Sequence, residues 1–272
     1  AVEPLPRGIL FWRSFMHWLG GMGVLVLTIA LMPSLGGRTL HLMKAESPGP
    51  IVSKLVPKSS QSSKILYGIY CAMTLVQIFL LRLTGMPWYD SIVNTFATAG
   101  TGGFAVKNIS ISAYGNPAAE IVLTVFMLLF SVNFSVYFLI LCGKIRQALR
   151  SDELRFFLGV VAASTVLIAV NIHGMFDTVG ETVRHSAFQV ASIISTTGFA
   201  STDFNLWPEF SKTILVLLMF IGACAGSTGG AIKCSRVLLL LRAIRREIRQ
   251  IIHPRSVNVV KLRPKHFGVF CS

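Results

Sequence analysis

The stretch Asp90 to Ala105, D-S-I-V-N-T-F-A-T-A-G-T-G-G-F-A, returns 95 positions later as His185 to Ala200, H-S-A-F-Q-V-A-S-I-I-S-T-T-G-F-A. Aligned, Ser91, Thr101, Gly103, Phe104 and Ala105 fall on Ser186, Thr196, Gly198, Phe199 and Ala200. Each copy reads as a short helix followed by a Thr/Gly turn ending in Gly-Phe-Ala. A helix that re-enters a membrane must end in irregular backbone, tolerated at that depth only when buried in protein or lining a wet cavity. Glycine reaches conformations closed to other residues, so carbonyl oxygens can turn toward one axis. Rings of such oxygens replace the hydration shell of a cation. One copy alone would read as an ordinary loop between helices. Two copies, each between long apolar runs, favour a repeated pore-lining unit.

The composition agrees. Of 272 residues, 53% are hydrophobic and only 13% charged, whereas soluble domains carry about a quarter charged residues. The formal net charge of +14 would point to nucleic acid in a soluble protein; here the cations are distributed by topology, and a nucleic-acid partner is rejected. The five cysteines form no C-x-x-C pair and read as small buried hydrophobes. No signal-peptide pattern opens the chain.

In chain order, an apolar helix is expected over Ile9–Leu35, long enough to span a bilayer. Gly20, Gly21 and Gly23 would allow a close helix contact, and Arg13 is expected to face protein or the interface. A Pro/Gly/Ser-rich loop covers 36–64. A second helix runs Ile65–Leu83, and the first half-helix opens near Asp90, a candidate N-cap. A third helix is expected over Ala118–Cys142, a charged hinge over 144–155, and a fourth helix over Phe156–Ile172. The second half-helix starts near Val183. The run Thr213–Ala225 is interrupted by Gly226-Ser227-Thr228-Gly229-Gly230 and resumes as Ala231–Leu241. Five consecutive Gly/Ser/Thr residues make an unbroken helix unfavourable, and discontinuous membrane helices mark ion and substrate pathways. A basic amphipathic segment follows. Five Lys/Arg residues fall in 36–64, four in 143–155 and ten in 233–265, out of 25. If the helices alternate, these lie on one side, which the positive-inside rule makes cytoplasmic.

Four motifs together resemble the Trk/Ktr/HKT superfamily of potassium transporters, in its TrkH-type branch: F-W-R-S-F-M-H-W-L-G-G-M-G (11–23), N-T-F-A-T-A-G-T-G-G-F-A (94–105), S-T-T-G-F-A-S (195–201) and G-A-C-A-G-S-T-G-G-A-I-K-C-S-R (222–236). The resemblance implies an all-α integral membrane protein of repeated helix–pore-loop–helix units, with re-entrant half-helices and one broken transmembrane helix. It assigns ion-facing selectivity-filter carbonyls to Thr101, Gly102, Gly103 and Phe104, and to Thr196, Thr197, Gly198 and Phe199. It makes Gly222 to Gly230 an intramembrane gate, with Gly222, Gly226, Ser227, Thr228, Gly229 and Gly230 as its residues. Lys233 and Arg236 follow as a possible electrostatic barrier, or as cytoplasmic anchors. Potassium is the implied substrate, with no cofactor. The implied partners are membrane lipid, a second copy, and a cytosolic nucleotide-binding subunit of the RCK type that would meet the basic segment after Leu241.

On this alignment residues 1–63 hold the last helix of a first repeat plus a cytoplasmic loop, 64–150 a second repeat, 151–250 a third with the broken helix, and 251–272 the start of a connection to a fourth. Two filter segments cannot close a four-sided pore, so the chain by itself is expected not to conduct. An ion-coupled carrier with broken helices, or a sodium-permeable member of the same superfamily, are the alternatives. An intramembrane enzyme is not expected: neither G-x-G-D nor G-x-S-G occurs, the six histidines are scattered and no metal-ligand spacing is present.

Overall fold

The computed structural model describes residues 2–23 and 59–252. The rest of the first expected helix, most of the 36–64 loop, the 253–272 connection and Cys271 lie outside the described residues. Helix α1 (Arg7–Gly21) crosses the end of the first half-helix. A Cβ on Gly21 would stand 2.7 Å from Gly100 Cα, and one on Gly100 would stand 2.2 Å from the His17 carbonyl oxygen. Only two facing glycines let these backbones meet. Trp18 of α1 stacks on Tyr70 at 5.5 Å, and its indole N–H donates to Thr74 Oγ1 at 3.1 Å.

Helix α2 (Ser59–Leu83) begins inside the segment expected to be loop. The turn after it, with Gly85 at φ +93°, leads into half-helix α3 (Trp88–Ala99). Asp90 is not its N-cap: the helix starts two residues earlier, after Pro87, with no side-chain cap. Proline's fixed φ already suits a helix entry. Asp90 sits in the first turn instead, where a carboxylate favours the helix dipole, and accepts the Tyr114 hydroxyl at 2.9 Å.

The third expected helix is two helices. Helix α4 (Pro117–Ser131) and helix α5 (Phe134–Leu141) meet at an angle of 92°. Asn133 makes the restart possible by accepting the Ser135 N–H at 2.8 Å, the usual office of an N-cap. A short helix, α6 (Ile145–Leu149), lies in the charged hinge. Helix α7 (Asp152–Asn171) starts at Ser151, whose hydroxyl caps it. Half-helix α8 (Val179–Ile194) starts from Thr178, whose hydroxyl accepts the Glu181 N–H.

The interrupted helix is also broken more widely than its Gly/Ser/Thr run. Helix α9 (Glu209–Phe220) stops before Ile221, and helix α10 (Cys234–Ile252) starts only after Lys233. Between them Ile221 and Ile232 pair as an isolated parallel bridge, so residues apolar enough for a helix are held extended.

The two breaks complete each other. A bend leaves the last carbonyls of α4 without helical partners. Ser131 O accepts the Cys224 N–H at 3.0 Å, Phe130 O accepts the Thr228 N–H at 3.4 Å, and Gly226 O accepts the Phe134 N–H at 3.0 Å. The Thr228 hydroxyl also donates to Phe130 O, at 3.2 Å. From α7, Glu153 Oε1 accepts the Ala225 N–H at 2.7 Å. Non-helical backbone is thus satisfied by protein, as a bilayer interior requires.

Among the described residues two helices, Lys64–Leu83 and Asp152–Asn171, are long and apolar enough to cross a membrane, and the bent α4/α5 pair makes a third if counted as one span. Their outer faces are apolar: Leu75, Val76, Phe79 and Leu83 on α2, and Leu158, Val166, Leu167 and Val170 on α7, are all exposed. Exposed apolar faces this extensive belong against lipid or another chain. Inward, Val190 and Ile194 of α8 join Phe157, Val161 and Ile168 of α7 and Leu215 and Leu218 of α9 in one core.

Candidate functional site

The two half-helices end in the same pair of backbone bonds. Gly102 N–H donates to Ala97 O at 2.8 Å and Thr101 N–H to Thr98 O at 3.1 Å; 95 positions on, Thr197 N–H donates to Ser192 O at 3.0 Å and Thr196 N–H to Ile193 O at 3.0 Å. These crossed bonds are the Schellman ending, whose left-handed residue is usually glycine. Here it is threonine: Thr101 has φ +51° and Thr196 φ +61°. Gly103 and Gly198 follow at φ +67° and +85°. Each turn therefore runs Thr (left-handed), one residue, Gly (left-handed). Glycine takes the unusual backbone where it was expected, at Gly103 and Gly198, and the threonines share it.

The turns touch. A Cβ on Gly103 would fall 1.8 Å from the Thr197 carbonyl oxygen, and Gly198 has open space around it among the described residues. Beneath them lies the loop between α9 and α10. Thr101 Oγ1 donates to Thr228 O at 3.2 Å, and Gly230 N–H donates to Thr196 Oγ1 at 2.7 Å. A Cβ on Gly229 would stand 3.0 Å from Ser195 O. Two turns and one interrupted helix, far apart in sequence, thus share one place.

Around this centre the copies differ. The Phe104 ring is exposed, stacked on His17 at 5.0 Å and capped by the Arg13 guanidinium at 4.9 Å. Arg13 Nη2 also donates to Ala105 O at 3.0 Å. It thus faces protein, as the cost of a charge at membrane depth requires. The His17 ring lies against Gly102, where a Cβ would come within 2.6 Å. In the second copy Phe199 is fully buried, and its carbonyl accepts the Ser192 hydroxyl at 2.6 Å. The first copy has Ala97 at that place and no such donor. Thr197 is buried, its hydroxyl 2.7 Å from that of Ser195.

The remaining candidates divide. Gly222 N–H donates to Ile232 O, and Gly222 O accepts the Cys234 thiol at 2.9 Å. Gly226, at φ +73°, lies beside Asn133, and the Ser227 hydroxyl turns back onto Cys224 O at 2.6 Å. Lys233 Nζ donates to Gly229 O, so this cation folds against the loop. Arg236 is exposed on the first turn of α10 and is not brought to the site. His17, Ser192, Glu153 and Asn133 were not singled out from sequence. His17 had a legible signal: it stands four residues after Arg13, hence on the same helix face. The other three had none.

The TrkH family, described as a cation transport protein, matches residues 1–268. The Trk system potassium uptake protein TrkH of Salmonella typhimurium is 35% identical over 96% of this chain and 55% of its own length. The Trk system potassium uptake protein TrkG of Escherichia coli is 36% identical over 95% of this chain and 54% of its own. The crystal structure of the potassium transporter TrkH from Vibrio parahaemolyticus is similar with a TM-score of 0.82 at 30% identity, over 97% of this chain and 54% of that one. The chain spans about half the length of the curated relatives it matches.

Proposed function

The chain belongs to the TrkH family of cation transport proteins, and from that premise we propose that it forms part of a membrane path for potassium. In this reading Thr101 to Phe104 and Thr196 to Phe199 are two segments of a carbonyl-lined selectivity filter, and Gly222 to Gly230 is the gate beneath. The observation that carries the proposal is the pair of identical left-handed Thr-x-Gly endings meeting over an interrupted helix. Ordinary loops have no reason to repeat such a backbone. A pore needs its oxygens at fixed positions around one axis. Residues 64–150 and 151–250 are two successive repeats of the design, and potassium is the substrate, with no cofactor.

The basic segments are proposed to be cytoplasmic. The Arg242–Asp152 ion pair at 2.8 Å supports this by joining the 143–155 and 233–252 segments at one side. Ile244, Ile248 and Ile251 of α10 are exposed beside its arginines. That is the surface proposed to meet a cytosolic nucleotide-binding subunit, with a second copy as the partner within the membrane. Lys233 serves as a fixed positive charge below the filter.

The test is uptake of radioactive rubidium into liposomes, comparing the complete parent protein with this 272-residue piece, with potassium and sodium as competitors. The expected result is uptake by the parent alone, suppressed by potassium more than by sodium. Equal suppression by sodium would move the substrate to alkali cations generally. A folded parent without uptake would sink the proposal. In the same assay, deletion of Gly226 to Gly230 is expected to raise resting uptake, because it removes the backbone that lies under both turns. Unchanged or lower uptake from a folded deletion would remove the gate from the reading.

A further inference from the structure

In each turn the residue that a Schellman ending usually reserves for glycine is a threonine. A side chain with a Cβ is held left-handed at a cost of about 1–2 kcal/mol, and a β-branched one is a marked outlier there. Glycines stand beside both positions, at Gly102, Gly103 and Gly198, so the chain is rich in glycine where a turn needs it. What threonine adds is a hydroxyl, and both hydroxyls are used on the same partner. Thr101 donates to the Thr228 carbonyl, while Thr196 accepts from the Gly230 N–H. The bonds have opposite polarity and fall two residues apart on one loop. This arrangement holds the loop in register under both turns at once.

Building on the reading of the turns as filter and the loop as gate, we propose that Thr101 and Thr196 form a paired latch that couples the two. While the loop is seated, each hydroxyl is held toward it and cannot rotate to face a passing ion. When the loop leaves, both hydroxyls are freed together at the inner end of the filter. Closure and the loss of two ion-facing oxygens are then one event. The left-handed threonines are the cost of that coupling.

The loop side of the second bond offers a direct test. A Cβ on Gly230 would lie 3.8 Å from Thr196 Cβ, the separation that a disulfide requires. In the complete parent, reconstituted in liposomes, the pair Thr196→Cys with Gly230→Cys is expected to bridge on oxidation and to lose rubidium uptake. Reductant should restore that uptake, and either single substitution should be insensitive to both treatments. A bridge shown by peptide mass, with uptake unchanged, would overturn the latch. So would failure of a folded protein to bridge. Absence of uptake in the unsubstituted parent would instead reject the underlying transport reading.

Valine, which keeps the shape and removes the hydroxyl, gives the complementary test. Thr101→Val and Thr196→Val are each expected to raise resting uptake about fivefold, the worth of one hydrogen bond, and roughly 25-fold together. Serine at the same positions retains the hydroxyl and should leak less than valine. A loss of potassium-over-sodium preference with no rise in resting uptake would assign the hydroxyls to the ion alone and overturn the latch.

Discussion

Replacing Gly103 by alanine in the complete parent is expected to abolish potassium-selective rubidium uptake. Two effects act together. The left-handed backbone at φ +67° disfavours any Cβ by about 1–3 kcal/mol. The added carbon would also lie 1.8 Å from the Thr197 carbonyl oxygen and 2.8 Å from its carbon. No side-chain rotation relieves a clash between a Cβ and a backbone oxygen. The Thr197 peptide must move, and it belongs to the other Thr-x-Gly turn. One substitution therefore disturbs both turns. Gly198→Ala is the matched comparison: its φ is +85°, but a Cβ there meets open space among the described residues. It is expected to weaken selectivity through conformational cost alone and to do less damage than Gly103→Ala. The measurement is competition of sodium and potassium against rubidium for both variants. The reverse order of severity would mean that residues outside the described ones crowd the second turn more than Thr197 crowds the first.

Removal of Arg184 is expected to produce the largest loss of stability. Its Nε donates to Glu120 Oε2 at 2.8 Å, joining half-helix α8 to helix α4, and the Glu120 side chain is only 5% exposed. The His185 imidazole lies nearby, with Nδ1 at 3.9 Å from the same oxygen and already 2.9 Å from the Ser201 hydroxyl. Arg184→Ala leaves a buried carboxylate without its main partner, a change that costs about 3–5 kcal/mol. That corresponds to a melting midpoint lowered by roughly 10 °C in a chain of this size. Replacing Glu120 and Arg184 together by leucine removes the stranded charge and should recover much of the loss. Thermal unfolding of the unsubstituted protein and the two variants in detergent checks this. A single substitution that moves the midpoint by less than a degree or two would show the pair to be screened as a surface bridge is.

Much of this architecture is legible in the sequence, where a local pattern carries it. The spans at 65–83 and 156–172 follow from unbroken apolar runs, and α2 and α7 are found over them. The 95-residue repeat announces two half-helices, and they are found as α3 and α8. What escaped is held by contacts distant in sequence. The bend at Val132 and Asn133 lies within a run, apolar but for Ser131, Asn133 and Ser135, that reads as one helix. Its cause is the loop around Gly226, whose carbonyl accepts the Phe134 N–H and whose neighbours fill the freed carbonyls of α4. The interruption between α9 and α10 widens past its Gly/Ser/Thr run for the same reason: Ile221 and Ile232 are held extended against each other. At the turns, the expectation of glycine was sound for Gly103 and Gly198. It overlooked Thr101 and Thr196, because a strained threonine is explained only by the loop its hydroxyl meets.

The mutual completion of the two broken helices also dictates an order of events at birth. Thr228 is made 98 positions after Phe130. At about 5–20 residues per second of synthesis, a nascent chain makes Phe130 roughly 5–20 s before its partner Thr228. In lipid an unpartnered carbonyl is costly, so the bend between α4 and α5 is fully satisfied only once the chain around Gly226 has been made. A bend made early in synthesis thus waits on residues made much later.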